Sequence, residues 1–442
     1  MHRLVLLPLM LLLAMVASPQ PDHRHSQLQP AGWKCRCANQ SLCAPLRTPK
    51  PDREVFAYYE DHWTNPDYNQ TWLDLFSGGT VTTIAACEGH VAQEPNVLDA
   101  RMSDEHLCYA HAHGVRVVPA CIGCDVWSGS PGGLSRCPGH TDKIPFNFND
   151  SAARATYVKN WSSIVHDYGY DGLSLDMEGG IPKSQGAGLT ALVRDFRAEL
   201  GPQSQLSFAT ACDPHAHWEL PSNKKYGPMT FMDFGYQYDK LSPHLDFFFA
   251  MCYGNLASKF SNLAHADNPL AALTQTVETF PAAPEKLIVG LPLYFFDYTC
   301  DPGTAPNQQL CSIKEFFKTH NPDSSSALNP ISLGGVLALA AGKPVGSRKG
   351  AVVKLNALNA TEGSMYLNYV FPNDNTSTIH QIPYGSPESL AAKYKMLASK
   401  KVYGTGFWVS SGRWPDNAPM PTAATQALWR SVQVNFVDGG GQ

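Results

Sequence analysis

The chain has little that would tie it to a membrane or to nucleic acid. Beyond its first eighteen residues, no window offers eighteen apolar residues uninterrupted by charge or proline, so the sequence predicts no transmembrane anchor. The formal net charge is only -5 over 442 residues, and no long basic run is present. A nucleic-acid-binding or membrane-surface protein would need a concentrated basic patch. These absences favour a neutral substrate over a polyanionic partner.

A Gly-rich phosphate loop is also missing after the first strand-like segment, which argues against an open doubly wound sheet. Instead, eight apolar segments without polar alternation recur, as is typical of parallel strands buried on both faces. They are EVFAYY (54–59), VTTIAAC (81–87), VRVVPAC (115–121), DGLSLDME (171–178), QLSFATAC (205–212), DFFFAMCY (246–253), KLIVGLPLY (286–294) and GTGFWVS (404–410). Helical segments alternate with several of them.

The predicted fold is therefore α/β, a (β/α)8 TIM barrel. More than a hundred residues separate the last two strands and include the strand-like segments MYLNYVF and IHQIPY, so we expect a small α+β insertion between strands 7 and 8, at about residues 300–385. The expected organisation is a signal peptide (1–18), a Cys/Pro-rich segment (19–50) and the barrel domain (51–442).

The N-terminus and the cysteines predict an oxidising destination. A short basic start precedes an apolar stretch that ends in small residues at Ser18, the pattern of a secretory signal peptide. The twelve cysteines are an even number, as expected where most of them form disulfides. Six N-x-S/T sequons indicate a glycoprotein, and they begin at Asn39, Asn69, Asn149, Asn160, Asn359 and Asn375.

The fourth strand carries the candidate chemistry. Because strand side chains alternate, Ser174, Asp176 and Glu178 share one face of DGLSLDME, while the leucines and the methionine share the other. Carboxylates two residues apart on one face lie roughly 7 Å apart, close enough for one to raise the pKa of the other. The C-terminal ends of barrel strands are where catalytic groups cluster. Taken alone, such an acidic strand end could instead begin a loop or bind calcium.

Four motifs in order resemble glycoside hydrolase family 18, the chitinase-like barrels. DGLSLDME is similar to the family's D-G-x-D-x-D-x-E signature, FFFAMCY to its M-x-Y, GLPLYFFDYTC to its G-x-P-x-Y, and GTGFWVS to its last strand ending in Trp. The likeness extends from about Cys35 to Trp429. It also implies that Cys300 and Cys311 form a disulfide.

The resemblance implies retaining, substrate-assisted catalysis, in which the 2-acetamido group of the sugar is the nucleophile. Glu178 would be the proton donor, Asp176 would orient the acetamido N–H, and the Tyr253 hydroxyl would hold its oxygen. Trp408 would form the floor of the sugar site. The weaker candidates for substrate contacts are Met251, Tyr294 and Ser174.

Two positions depart from the family pattern. Ser174 replaces the middle aspartate of the signature, which removes a like charge beside Asp176 and leaves that carboxyl more readily ionised. Gly254 stands where many members have an aspartate that contacts the sugar, so one substrate contact is in doubt.

The implied activity is hydrolysis of β-1,4 N-acetylglucosamine linkages in an oligosaccharide, removing the reducing-end sugar from the chitobiose core of N-glycan fragments in the lysosome. The alternatives are a secreted, endo-acting chitinase and a catalytically silent carbohydrate-binding barrel. We expect no cofactor and no metal. Cys121, Cys124, Cys137 and His140 have a spacing compatible with zinc, but an oxidising compartment favours disulfides there.

Overall fold

Eight parallel strands form one sheet that curls into a nearly closed barrel, in the order β3-β2-β1-β14-β7-β6-β5-β4. The computed structural model describes residues 35, 37–46, 50–59, 79–86, 104–120, 147–177, 181–215, 230–253, 269–312, 330–372, 378–408 and 418–441. The barrel strands are β1 (Glu54–Tyr59), β2 (Thr83–Ala86), β3 (Arg116–Pro119), β4 (Gly172–Asp176), β5 (Gln205–Ala211), β6 (Phe247–Met251), β7 (Leu287–Pro292) and β14 (Gly404–Trp408). The predicted α/β barrel class is confirmed.

The helices of the described residues alternate with these strands. They are α1 (Asp104–Ala112), α2 (Ser151–Tyr168), α3 (Gly186–Leu200), α4 (Tyr238–Leu241), α5 (Leu270–Thr279), α6 (Leu333–Ala340), α7 (Pro387–Ser399) and α8 (Thr422–Val432). Short 3-10 turns cover Gln40–Cys43, Lys183–Gln185, Phe231–Asp233, Ser242–His244, Pro284–Lys286, Gly346–Arg348 and Asp438–Gly441, and a π-helical turn covers Gln433–Val437. Among these residues no helix has the length and apolar character needed to cross a membrane.

Local sequence explains where the helices begin and end. Asp150 caps α2 by accepting hydrogen bonds from the N–H groups of Ala152 and Ala153, and Gly169 ends the same helix with a left-handed φ of 73°. Helix α7 starts with a capping box in which Ser386 and Ser389 bond to each other's backbone, with Pro387 in its first turn.

The interior of the barrel is packed mainly with aromatic and aliphatic side chains. The inward-facing core includes Phe56, Tyr58, Ala85, Val118, Phe247, Phe249 and Ile288. The Phe249 ring lies against two glycines of neighbouring strands: a Cβ on Gly290 would lie 2.3 Å from the ring, and one on Gly406 would lie 2.7 Å from it. These two glycines therefore make the space that the ring occupies.

The N-terminal end of the barrel carries a buried polar layer. The Thr82 hydroxyl donates to the Glu54 carboxyl, and the Thr83 hydroxyl donates to Gln205 Oε1 at 3.1 Å. Burial raises the pKa of Glu54, and the hydrogen bonds from the two threonines only partly offset it. This end of the barrel is therefore a packed structural layer, in contrast to the other end.

Strands β3 and β4 meet at a seam that Asp171 closes. Its N–H donates to Val117 O at 2.9 Å, and its Oδ2 accepts from Val117 N at 2.7 Å, so the carboxylate takes the place of a strand carbonyl. Oδ1 accepts from Leu46 N at 2.6 Å, which ties the N-terminal segment to the seam. The Nε2 of His111 lies 2.9 Å from Oδ2, and its Nδ1 lies 2.6 Å from Leu42 O.

The predicted insertion is present between β7 and β14. Its elements are β8 (Tyr294–Phe296), β9 (Tyr298–Thr299), β10 (Pro330–Ser332), β11 (Val352–Asn359), β12 (Ser364–Val370) and β13 (His380–Tyr384). Four of them form an antiparallel sheet in the order β11-β12-β13-β9, and β8 pairs with β10. Strand β11 was not predicted because it is an edge strand with alternating exposed and half-buried residues, which leaves no buried apolar run.

A buried ion cluster joins the start of the insertion, between β8 and β9, to its later elements. Asp297 Oδ2 accepts from Arg348 Nε at 2.9 Å and from the Tyr369 hydroxyl, and Oδ1 lies 3.5 Å from His380 Nδ1. Burial raises the pKa of Asp297, but the neighbouring His380 and the positive charge of Arg348 outweigh it, so the net shift is downward. Because β8 begins at Tyr294 and is followed by Asp297, the cluster also anchors the strand that carries Tyr294.

Candidate active site

The C-terminal strand ends bring most of the described candidate residues to one end of the barrel. Asp176 ends β4, Met251 ends β6 and Trp408 ends β14, while Tyr253 follows β6 by two residues. Met251, Tyr253 and Trp408 pack against the core cluster of Phe56, Tyr58 and Phe249, so they lie on the inward face of the barrel. Asp176, Met251, Tyr253, Tyr294 and Trp408 are each half-buried, as the lining of an open cleft would be.

Strand β4 presents Ser174 and Asp176 to the interior, as the alternation predicted. Ser174 pairs in register with Ser207 and Asp176 with Ala209, so the neighbouring strand adds only small side chains on this face. Ser174 is fully buried, and its Oγ lies 3.1 Å from the hydroxyl of Tyr58. Asp176 therefore has a serine, not a second carboxylate, as its inward neighbour on the strand.

Tyr58 is a site residue that the sequence analysis missed. It is 1% exposed, and its ring lies 5.3 Å from Trp408 and 4.8 Å from Phe249 between centroids. It thus contacts both the candidate sugar floor and the strand that carries Asp176. In EVFAYY, Tyr58 and Phe56 are two residues apart and therefore share one face of the strand, but the sequence does not show whether that face points into the barrel.

An aromatic wall is formed by Tyr58, Trp408, Tyr253 and Tyr294. The rings of Tyr253 and Trp408 are nearly parallel, with a centroid separation of 6.4 Å and an interplanar angle of 23°. Tyr294 meets Tyr253 edge to face at 6.2 Å. Trp408, Tyr253 and Tyr294 are half-buried and offer flat apolar faces for a sugar ring, and the two tyrosines also offer phenol hydroxyls for its polar substituents, while the buried Tyr58 supports Trp408.

A disulfide fixes the end of β6 beside this wall. Cys252 lies between the two candidate residues Met251 and Tyr253, and it is bonded to Cys212, the residue after β5. Its N–H also donates to Gly290 O at 3.0 Å. Both links restrict the backbone that carries Tyr253. The sequence alone left this pairing open.

The other disulfides lie away from the wall. The Cys300–Cys311 disulfide that the resemblance implied is confirmed. Cys35 pairs with Cys43, and Cys37 pairs with Cys108. Within the described ranges, Cys35, Cys37 and Cys108 have sulfurs within metal-ligand reach of one another, but all three are oxidised in these two disulfides.

Several predicted features lie outside the described residues. These are the signal peptide (1–18), the sequons at Asn69 and Asn375, Glu178, Gly254 and the group Cys121, Cys124, Cys137 and His140. The backbone next to Glu178 is described: Met177 is buried, and its carbonyl accepts a hydrogen bond from the Tyr236 hydroxyl at 2.6 Å.

A (β/α)8 barrel with an acidic strand β4 and an aromatic wall at its C-terminal end is the framework of a glycoside hydrolase. The model of the family described as Glycosyl hydrolases family 18 matches residues 138–412. The chain belongs to this family and is a glycoside hydrolase of the chitinase-like type. The recognition made from the four sequence motifs is therefore confirmed.

Curated relatives point in the same direction. The chain is 24% identical to di-N-acetylchitobiase of Mus musculus over 411 residues, covering 90% of this chain and 93% of the relative. It is also 24% identical to di-N-acetylchitobiase of Homo sapiens over 415 residues, covering 91% and 89%. The protein is thus similar to di-N-acetylchitobiases along most of its length.

Solved structures show the same fold. A plant class V chitinase mutant from Cycas revoluta, in complex with (GlcNAc)3, superposes with a TM-score of 0.59 at 15% identity, covering 86% of this chain and 98% of that one. The spore cortex-lytic enzyme SleL of Bacillus megaterium gives a TM-score of 0.58 at 14% identity, covering 88% and 76%.

Proposed function

We propose that this protein removes N-acetylglucosamine from the reducing end of the chitobiose core of N-glycan fragments, by retaining catalysis assisted by the substrate's 2-acetamido group. The observation that carries the proposal is the placement of Asp176 at the end of β4, on the inward face shared with Ser174, whose neighbour Tyr58 packs on Trp408. An acid and a sugar-stacking wall at one end of a barrel suit glycoside cleavage.

Each proposed role uses a chemical property of the side chain. Glu178 protonates the leaving oxygen and then activates water. Asp176 accepts the acetamido N–H and stabilises the cationic ring that forms, because a carboxylate beside a developing positive charge lowers the barrier. The Tyr253 hydroxyl holds the acetamido oxygen, and Trp408 supports the sugar ring. Met251 and Tyr294 form the pocket walls.

The substrate and the compartment are parts of the same proposal. Similarity to di-N-acetylchitobiases supports the chitobiose core as the substrate, and the chitinase that binds (GlcNAc)3 supports an oligosaccharide of N-acetylglucosamine. The N-terminal segment of the sequence supports a lysosomal or secreted enzyme. Product analysis on chitobiose, chitotriose and polymeric chitin separates the exo activity from an endo-acting chitinase, while binding without turnover would indicate a lectin-like barrel.

The proton donor is tested by Glu178→Gln. Loss of general acid catalysis should lower kcat by about 10² to 10⁴-fold while sugar binding persists. Glu199→Gln is the matched control, since it makes the same substitution at an exposed position of α3 and should leave kcat unchanged. Wild-type turnover by the Glu178 variant would reject this role.

The mechanism is tested by a thiazoline analogue of N-acetylglucosamine, which mimics the cyclic intermediate and should inhibit competitively. Asp176→Ala should weaken both inhibition and turnover, whereas Asp239→Ala, an exposed aspartate of α4, should change neither. Proton NMR of early product should show the β-anomer, because two displacements at one carbon retain configuration. Inversion, or equal rates on glucose and N-acetylglucosamine substrates, would contradict acetamido participation.

A further inference from the structure

The backbone on both sides of Glu178 is held by two consecutive residues from a distant part of the chain. The Tyr236 hydroxyl donates to the carbonyl oxygen of Met177 at 2.6 Å. The N–H of Gly235 donates to the carbonyl oxygen of Ile181 at 2.8 Å. Thus the dipeptide 235–236 binds the last residue before Glu178 and the first described residue after it. We call this pair of hydrogen bonds the 235–236 clamp.

The clamp depends on a close backbone approach that only glycine permits. A Cβ on Gly235 would lie 2.9 Å from Pro182 O, 3.1 Å from Gly186 N and 3.1 Å from Ile181 Cγ2. Gly186, at the start of α3, approaches from the other side, and its Cβ would lie 2.8 Å from Gly235 O. The two segments therefore pack backbone against backbone, which is a rigid way to fix the carbonyls.

Tyr236 is itself held firmly. It is 3% exposed, and its ring packs edge to face against Phe208 of β5 at 6.1 Å. Strand β5 is paired with the whole of β4, from Gly172–Gln205 to Asp176–Ala209. The Tyr236 hydroxyl is thus positioned by packing against β5, a strand whose register with β4 is fixed by their pairing.

The bonded carbonyl belongs to the peptide group that leads directly into Glu178. A peptide group is planar, so fixing the direction of the Met177 carbonyl restrains the whole peptide unit that follows Met177. Strand β4 ends at Asp176, one residue earlier, so the strand ladder does not extend to this carbonyl. We propose that Tyr236, supported by Gly235, is a positioning residue that orients Glu178 for proton donation. This inference rests on the proposed function, in which Glu178 is the acid.

The test compares two tyrosines on one segment. Tyr236→Phe removes only the hydroxyl that reaches Met177. Tyr238→Phe is the matched control, because it also removes a buried hydroxyl, one that lies 2.6 Å from Thr210 Oγ1 and has no contact with the residues around Glu178 among its described hydrogen bonds. A merely structural loss should therefore appear equally in both variants.

Tyr236→Phe should lower kcat about 10- to 100-fold on an oligosaccharide, with KM changed less than about threefold, since a misplaced catalytic group costs rate and not binding. A 2,4-dinitrophenyl glycoside supplies the sharper readout, because its leaving group departs without protonation. On that substrate kcat/KM, which reports only the steps up to departure of the leaving group and not the later base-assisted attack of water, should fall less than about threefold. An equal fall on both substrates, or a fall no larger than that of Tyr238→Phe, would overturn the inference.

A second measurement is independent of activity. Amide hydrogen exchange of the peptide covering residues 177–181 should accelerate at least about tenfold in Tyr236→Phe, with no acceleration there in Tyr238→Phe. Unchanged exchange in both variants would reject the clamp. If the wild-type protein cleaves neither substrate, the proposed function fails, and the exchange data alone decide whether Tyr236 holds this segment.

Discussion

Replacement of Asp171 by asparagine tests how the barrel seam is closed. The carboxylate accepts three hydrogen bonds, one from the half-buried Leu46 N at 2.6 Å and two from the buried groups Val117 N at 2.7 Å and His111 Nε2 at 2.9 Å. Its side chain is only 2% exposed. An asparagine keeps the shape but turns one acceptor oxygen into an NH2 donor, so at least one of these donors then faces another donor.

The expected loss follows from those contacts. A buried donor left without an acceptor costs about 1–3 kcal/mol, and a bond to a neutral oxygen is worth about 1 kcal/mol less than one to a carboxylate. Asp171→Asn should therefore lower the free energy of unfolding by roughly 3 kcal/mol, a large part of the ~5–15 kcal/mol typical of a folded protein. Urea unfolding without reductant, followed by circular dichroism, measures it as a lower midpoint at unchanged slope.

Asp150→Asn is the control for this experiment. Asp150 also accepts two backbone N–H bonds, at 2.9 and 3.1 Å, but it is exposed at the start of α2. Asparagine caps helices as well as aspartate does, so the change should stay within about 0.5 kcal/mol. If Asp171→Asn cost no more than Asp150→Asn, the carboxylate would not be what closes the seam between β3 and β4.

Three further predictions concern the pH dependence of stability and one disulfide. Burial raises the pKa of Glu54 in the folded protein above its value of about 4.3 in the unfolded chain. The stabilisation that comes from this shift is complete below the unfolded pKa and is lost as the pH rises through the folded pKa. The free energy of unfolding of Glu54→Gln, relative to that of wild type, should therefore increase as the pH rises. Asp297 has the opposite sign, because its lowered pKa gives stability above about pH 3.9 that is lost in acid, so Asp297→Asn should lose less stability than wild type below that pH. Urea midpoints from pH 3 to 8 check both signs, and parallel curves for wild type and variants would refute them. Replacing Cys212 and Cys252 together by serine opens a loop with a sequence separation of 40 and should cost about 4 kcal/mol; an unchanged melting temperature would contradict this.

The strands show what a single sequence reveals about a barrel. All eight predicted segments contain a strand of the sheet, because a parallel strand buried on both faces is an apolar run whatever its partners are. The ends were less well predicted: residues 81 and 82 were expected in the second strand, but the strand begins at Thr83. Where a ladder starts depends on the neighbouring strand, and that neighbour is not visible in the run itself.

The candidate site also has residues that the sequence predicted and residues that only the structure revealed. Alternation along DGLSLDME was enough to place Ser174 and Asp176 on one face, because both lie on one strand. Tyr58 joined the site only in the structure, since its bond to Ser174 spans 116 positions. Tyr236 reaches Met177 across 59 positions and carries no motif of its own.

The sequence by itself determined the barrel class, the order of its strands, the insertion before the last strand and, through its motifs, the enzyme family. These depend on burial along each segment, which the chain records locally as apolar runs. Only the tertiary structure decided that the Asp171 carboxylate closes the seam, that Cys212 pairs with Cys252 and that four aromatic rings form one wall. Such contacts join residues that are tens to hundreds of positions apart in the chain. Several side chains of the same type could have formed each of them, so strand register and the packing of the barrel decide which residues meet.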